Sequence, residues 1–235
     1  MSELINPTII GNATLYNMDC MELLKATPDN YFNIAIIDPP YGIGDVFIPV
    51  STGAKPMKIE RTHKVMSWDY SIPTKEYFDE LIRVSKKQII WGANYFNCFL
   101  NGGALVWYKN NGAPTLSQCE IASLSFKKSV DYVYIQALGG FVNKDKPIHP
   151  TQKPIKLYEF LLKNYAKQGD KILDTHLGSM GSVIACLNMG FEITGCELDA
   201  DYFNAGVARV KQSQAQSTLF EPSQPAVKPV QEVLV

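Results

Sequence analysis

The chain lacks most of the features that decide a class at once. Its 235 residues contain no C-x-x-C pair, no internal repeat, no excess charge of either sign and only three histidines. Each absence excludes something. The five cysteines (Cys20, Cys98, Cys119, Cys186 and Cys196) are odd in number and scattered, which argues against a disulfide framework or a cysteine zinc site and for reduced thiols. His63, His149 and His176 are isolated from one another, so packing or local bonding is expected of them and no metal. No apolar run approaches the roughly 18 residues that span a bilayer. The opening "MSELINPTII" lacks the basic-then-apolar layout of a signal peptide, so a cytoplasmic protein with no membrane partner is expected. A formal charge of −1 speaks against a general polyanion binder. Charge is nonetheless uneven: seven lysines against Asp145, Glu159 and Asp170 between residues 143 and 171 leave a local excess of four. Residues 45–67 carry a smaller excess of two, a footprint suited to a local contact with nucleic acid.

What is present is a core and a rhythm. With 46% hydrophobic residues the chain can fill one sizeable domain. Short β-rich runs alternate with helical patterns, the mark of an α/β protein with a mostly parallel, doubly wound sheet. Strands are expected in "ATLYNMD", "FNIAIID", "KQIIWG", "GALVWYK", "EIASLSFK", "DYVYIQA", "DKILDTH" and "FEITGCELD". Helices are expected in "CMELLKATPD", "PTKEYFDELIRVSK", "PIKLYEFLLKNYAK" from Pro154, "SVIACLNMG" and "ADYFNAGVARVKQ". Residues 42–66 fit nothing regular, and from Ser213 onward the Gln/Ser/Pro-rich sequence reads as a disordered tail. The expected organisation is one domain over 1–212 and a tail over 213–235.

Two strand ends carry chemistry. In "IAIIDPPYG" an apolar run stops at Asp38, Pro39, Pro40 and Tyr41, a rigid turn in which proline fixes φ and withholds a donor. In "KILDTHLGSMGSVIACLNMGFEITGCELD" a strand ends at Asp174, a turn with Gly178 and Gly181 follows, a helix opens near Ser182 and the next strand ends at Glu197. Glycines let a backbone approach a ligand, and an acid about 20 residues downstream suits ribose hydroxyls. NAD, FAD and S-adenosylmethionine pockets share this plan. The G-x-G-x-x-G of a pyrophosphate site is missing, and a carboxylate at Asp174 suits a cationic amino-acid moiety better, which favours S-adenosylmethionine.

These two features together resemble the amino-directed DNA methyltransferases. With "DPPY" ahead of the cofactor loop, the order is the permuted one of the group called beta. "HPTQKP" (His149–Pro154) falls where that group carries H-P-x-x-K-P, and Asp19 in "LYNMDC" stands where it carries an acid for the cofactor adenine. The resemblance covers most of residues 15–210. It implies a class I S-adenosylmethionine-dependent fold and cofactor contacts from Asp19, Cys20, Thr151, Lys153, Asp174, His176, Gly178, Gly181 and Glu197. For Asp19 a helix cap is the competing reading. One residue departs from the pattern: Met180 stands where the second glycine of the loop is expected. If that position needs positive φ, methionine is strained by about 1 kcal/mol, unless Gly181 takes over by a one-residue shift.

The resemblance also explains the odd strand ending. An aryl amine is a poor nucleophile because its lone pair is delocalised. The Asp38 carboxylate and the Pro39 carbonyl are implied to accept its N–H groups, with Pro40 fixing the turn and Tyr41 offering a face to an extruded base. No cysteine follows a proline, which excludes ring-carbon methylation of cytosine. D-P-P-Y leans to adenine over the cytosine amine, and RNA adenine stays open. Implied partners are double-stranded DNA, a second copy in a homodimer, and a phage or restriction-modification setting. Residues 42–66 and 127–148 are the expected target readers. "QSTLF" (Gln216–Phe220) matches the Q-x-x-L-F pattern that docks bacterial proteins on the replication sliding clamp. Two readings of other classes compete: a dinucleotide oxidoreductase, and a non-catalytic DNA- or clamp-binding protein whose cofactor site has decayed at Met180.

Overall fold

A computed structural model describes residues 6–43, 72–110, 117–136, 148–149 and 151–219. Much of the two expected target readers, including 44–66 with His63, and 137–147, lies outside them, as does Phe220. The strands are β1 (Thr8–Ile10), β2 (Ala13–Asn17), β3 (Ile34–Ile37), β4 (Gln88–Trp91), β5 (Ala104–Tyr108), β6 (Cys119–Leu124), β7 (Val130–Tyr134), β8 (Lys171–Asp174) and β9 (Glu192–Glu197). The helices are α1 (Cys20–Ala26), α2 (Lys75–Val84), α3 (Ala93–Phe96), α4 (Ile155–Tyr165), α5 (Gly181–Met189) and α6 (Ala200–Leu219).

One sheet in the order β1-β2-β9-β8-β3-β4-β6-β5-β7 holds every described strand. The run β2-β9-β8-β3-β4 is parallel throughout, and β1 and β6 are antiparallel to their neighbours. β3 is a continuous apolar run buried on both faces, as a central parallel strand should be. Its alternation divides the core: Ile34 and Ile36 pack with Leu157, Leu161, Val183 and Ile184 of α4 and α5, whereas Ala35 and Ile37 pack with Leu23, Leu24, Tyr77 and Leu81 of α1 and α2. Helices therefore cover both faces, and the doubly wound expectation holds.

The placement of β8 beside β3 matters most. From β8 the chain crosses through α5 to β9 on one side, and from β3 through α2 to β4 on the other. This is a topological switch point, and ligands of open α/β sheets bind in the crevice beyond the strand ends there.

Three details differ from expectation. β1, α3 and a 3₁₀ turn at Leu100–Gly102 were not foreseen, being three or four residues each. Pro154 caps α4 from extended backbone (φ −63°, ψ 139°) and the helix begins one residue later. α6 continues through Leu219, so Ser213–Leu219, expected in the irregular tail, is helical. Apolar Phe203 and Val210 anchor the first half of that helix to the core.

Candidate active site

Four acids stand at strand ends along one edge of the sheet. Register pairs Asn17 with Glu197 and Asp174 with Gly195, so Asp19, Glu197, Asp174 and Asp38 follow in the order β2, β9, β8, β3. Their surroundings differ, and so do the tasks open to them.

On the β8–β9 side each carboxylate is held by its own loop. Glu197 accepts from the Gly178 N–H at 2.8 Å and the Asp199 N–H at 3.0 Å. Burial raises its pKa, with those backbone donors pulling back. Asp174 is 2% exposed and accepts from the Ser182 hydroxyl at 2.5 Å and the His176 N–H at 3.0 Å. Burial pushes its pKa up to about 7 against those bonds. His176 is driven the other way, to about 4, because burial disfavours the imidazolium. Its Nδ1 lies 3.0 Å from the Thr175 hydroxyl, whose oxygen is 2.6 Å from Tyr77 Oη. Asp19 caps α1 through the Met21 N–H at 2.7 Å, so the competing structural role is the one its contacts display. Burial, with Asp19 adding to it, pushes the neighbouring Cys20 thiol up to about 12, which makes it inert as a nucleophile.

The loop itself answers the Met180 question. Met180 takes φ 57°, ψ 31° and caps α5, so the position does require the left-handed region. The shift to Gly181 does not occur. Gly181 opens the helix, and a Cβ there would meet the Tyr158 ring at 3.1 Å, so its smallness serves packing against α4 rather than approach to a ligand. Gly178 is the loop glycine with positive φ (46°), and a Cβ added there would meet the His149 ring at 3.6 Å. His149 also packs edge-on against Tyr202 at 4.6 Å and shares Nδ1 with the Thr151 hydroxyl at 3.1 Å.

On the β3 side, Asp38 follows the buried strand directly and faces a cluster of Tyr41, Lys153 and Glu120. Oδ1 accepts from the Tyr41 hydroxyl at 2.6 Å, and Oδ2 from Lys153 Nζ at 2.5 Å. Lys153 is buried, pairs a second time with Glu120 Oε2 at 3.0 Å, and lies 5.5 Å from the Trp91 ring. Lys109 closes the chain on Glu120 Oε1 at 3.0 Å. Burial raises the pKa of Asp38, with Lys153 opposing. Burial also works against the charges of Glu120 and Lys153, but their partners outweigh it, holding Glu120 low and Lys153 high. Lys153, for which a cofactor contact is expected, has its ammonium on the Asp38 carboxylate here. The Tyr41 ring is stacked on Tyr95 (centroids 4.9 Å apart, planes at 16°), and Gly92 lies against it.

Glu120 and Lys109 escaped sequence reasoning. The available signal was an acid on the apolar face of a strand, since Glu120 shares its period-two face with buried Ala122 and Leu124. Among the described residues there is no cluster of His, Cys, Asp and Glu fit for a metal, and all five cysteines are free.

Comparison with known proteins agrees with this layout. M1.HpyAVI, solved as a complex with SAM, superimposes with a TM-score of 0.53 at 19% identity, over 84% of this chain and 99% of that one. The PvuII DNA methyltransferase (cytosine-N4-specific) gives a TM-score of 0.56 at 13% identity, over 90% of this chain and 94% of that one. The fold is that of the class I methyltransferases. Residues 106–208 match the family model N6_N4_Mtase, described as DNA methylase. The DNA adenine methyltransferase YhdJ of Escherichia coli (strain K12) is 22% identical over 87% of this chain and 85% of its own length, and YubD of the same organism 24% identical over 82% and 87%. These similarities all point to DNA methyltransferases.

Proposed function

We propose that the protein transfers a methyl group from S-adenosylmethionine to the exocyclic amine of adenine in double-stranded DNA. The observation that carries the reading is the position of Asp38 on one side of the switch point, with the Asp174 loop and Glu197 on the other. S-adenosylmethionine, when bound, supplies a methyl group on a sulfonium centre. The residues present fit that cofactor: Glu197 and Asp19 stand at adjacent strand ends where ribose and adenine polar groups can be met, and Gly178 keeps the loop free of a side chain.

The chain's own part is positioning. Asp38 and the Pro39 carbonyl accept the N–H groups of the amine and hold its lone pair towards the methyl carbon. For this the Asp38 carboxylate must release one of its two present donors, Tyr41 or Lys153. Tyr41 can then present its ring only by parting from Tyr95, so base entry and release of Asp38 are coupled through one side chain. Removal of water from this buried corner strengthens each of these contacts.

The adenine lean rests on the residue type at position 38, and the similarity to YhdJ runs the same way. Roles in a restriction-modification or phage setting, self-pairing, and clamp docking through Gln216–Phe220 stay proposals of the sequence. For the last, Gln216–Leu219 are helical here, whereas docking of such a motif uses an extended peptide. The test is transfer from labelled cofactor to unmethylated DNA, followed by nucleoside mass spectrometry. N6-methyladenine supports the reading; N4-methylcytosine keeps the clamp and overturns the base; product on RNA alone overturns the substrate.

A further inference from the structure

The ionic chain behind Asp38 is longer than amine binding by itself requires. Lys153 Nζ lies 2.5 Å from Asp38 and 3.0 Å from Glu120, and Tyr41 Oη lies 2.6 Å from Asp38 and 3.5 Å from the same Glu120 oxygen. Both donors that occupy Asp38 therefore already have Glu120 within reach as a second acceptor. Lys153 is buried, and a buried ammonium stripped of its carboxylate is strongly unfavourable. Lys109, on the other oxygen of Glu120, balances the second acid, so two carboxylates and two ammonium groups share one pocket.

We propose that Glu120, backed by Lys109, is a positioning residue for methyl transfer: it receives Lys153 when the acceptor amine takes its place on Asp38. The exchange moves hydrogen bonds only. Lys153 keeps its proton, swings its ammonium from Asp38 towards Glu120, and leaves Asp38 ionised with a free lone pair. The inference rests on the reading of Asp38 as the amine acceptor.

The groups facing Asp38 are Tyr41 on its own loop, Lys153 ahead of α4, Tyr158 on α4, Glu120 on β6 and Asp174 on β8, with Lys109 beyond Glu120. Glu120 raises the Asp38 pKa and Lys153 lowers it. Glu120→Gln removes the anion and leaves Lys153 wholly on Asp38. Lys109→Gln leaves Glu120 to draw Lys153 away. The two variants should therefore shift Asp38 in opposite directions, down in Glu120→Gln and up in Lys109→Gln.

The experiment follows the Asp38 carboxyl by carbon-13 NMR in the full-length protein, assigned with Asp38→Asn, alongside kcat and cofactor affinity. The expected result is a lower midpoint in Glu120→Gln and a higher one in Lys109→Gln. With them comes a loss in kcat of about 10- to 100-fold for Glu120→Gln at unchanged cofactor affinity, part of it regained in Glu120→Asp. Equal midpoints, shifts of one sign, or a wild-type kcat in Glu120→Gln overturns the proposal. If Glu120→Gln fails to fold, the Lys109→Gln midpoint decides. A wild-type protein that methylates neither base overturns the methylation reading instead, and the carboxyl titration still decides the role of Glu120.

Discussion

Met180 sets two effects against each other at one residue. Its left-handed backbone costs about 1–2 kcal/mol in a residue with a Cβ. Its side chain is fully buried and rests on Gly206, where an added Cβ would meet the Met180 Cγ at 2.7 Å. Removing a buried methionine side chain costs about 2–5 kcal/mol, so burial wins. Met180→Gly should relieve the backbone and still lower stability by about 1–3 kcal/mol, read in urea unfolding; a more stable variant would contradict the packing argument. The departure from the family pattern is thus anchored by the final helix, and Arg209 adds a bond to the Ser179 carbonyl at 2.6 Å.

Asp174 and His176 make a second pair of opposed effects. Asp174 has its pKa raised to about 7, so its contribution to stability is full below the ordinary carboxylate range and fades as pH rises towards 7. His176 is lowered to about 4, so its contribution is full above 6.5 and fades as pH falls to 4. Over the shared window the two slopes oppose. Relative to wild type, Asp174→Asn should gain stability as pH rises from 4 to 7, and His176→Phe should lose it. Urea midpoints across that range check the signs, and parallel curves would show that neither group titrates as its burial implies.

At the scale of elements, the junction between β4 and α3 supports the Asp38–Tyr41 turn. Gly92 has φ 75°, and a Cβ there would fall 2.3 Å from the Tyr41 ring. Gly92→Ala should displace Tyr41 and reduce methyl transfer about tenfold or more with cofactor affinity unchanged; full activity would show that the Tyr41 position is not fixed from β4. Elements with a strong local signal were legible: β3, short but wholly apolar, and α2 with Tyr77, Leu81 and Val84 on one face. β1 and α3 were not, because three or four residues carry no period. The end of α6 was misplaced because glutamine and serine suit both an exposed helix and a tail, and tertiary packing of Phe203 and Val210 decides the matter.

At the scale of the molecule, the sheet order turns a linear series of motifs into a site. Asp38 and Asp174 lie far apart in the chain, and the pairing of β3 with β8 sets their strand ends side by side. The expectation of one shared site came from the family resemblance, and the pairing itself from the fold. The contacts that condition Asp38 were not legible in the sequence: Lys153 reaches it across 115 positions, and Glu120 joins only through the fold. A lysine in a cofactor motif gives no sign of which carboxylate it will meet.

The division of labour across the switch point is most directly tested by Asp38→Ala, measured for cofactor binding by calorimetry and for methyl transfer to unmethylated DNA on the same preparation. The expected result is cofactor affinity close to wild type with methyl transfer lost. Loss of cofactor binding together with activity, or transfer that survives the substitution, would contradict the assignment of Asp38 as the acceptor of the amine.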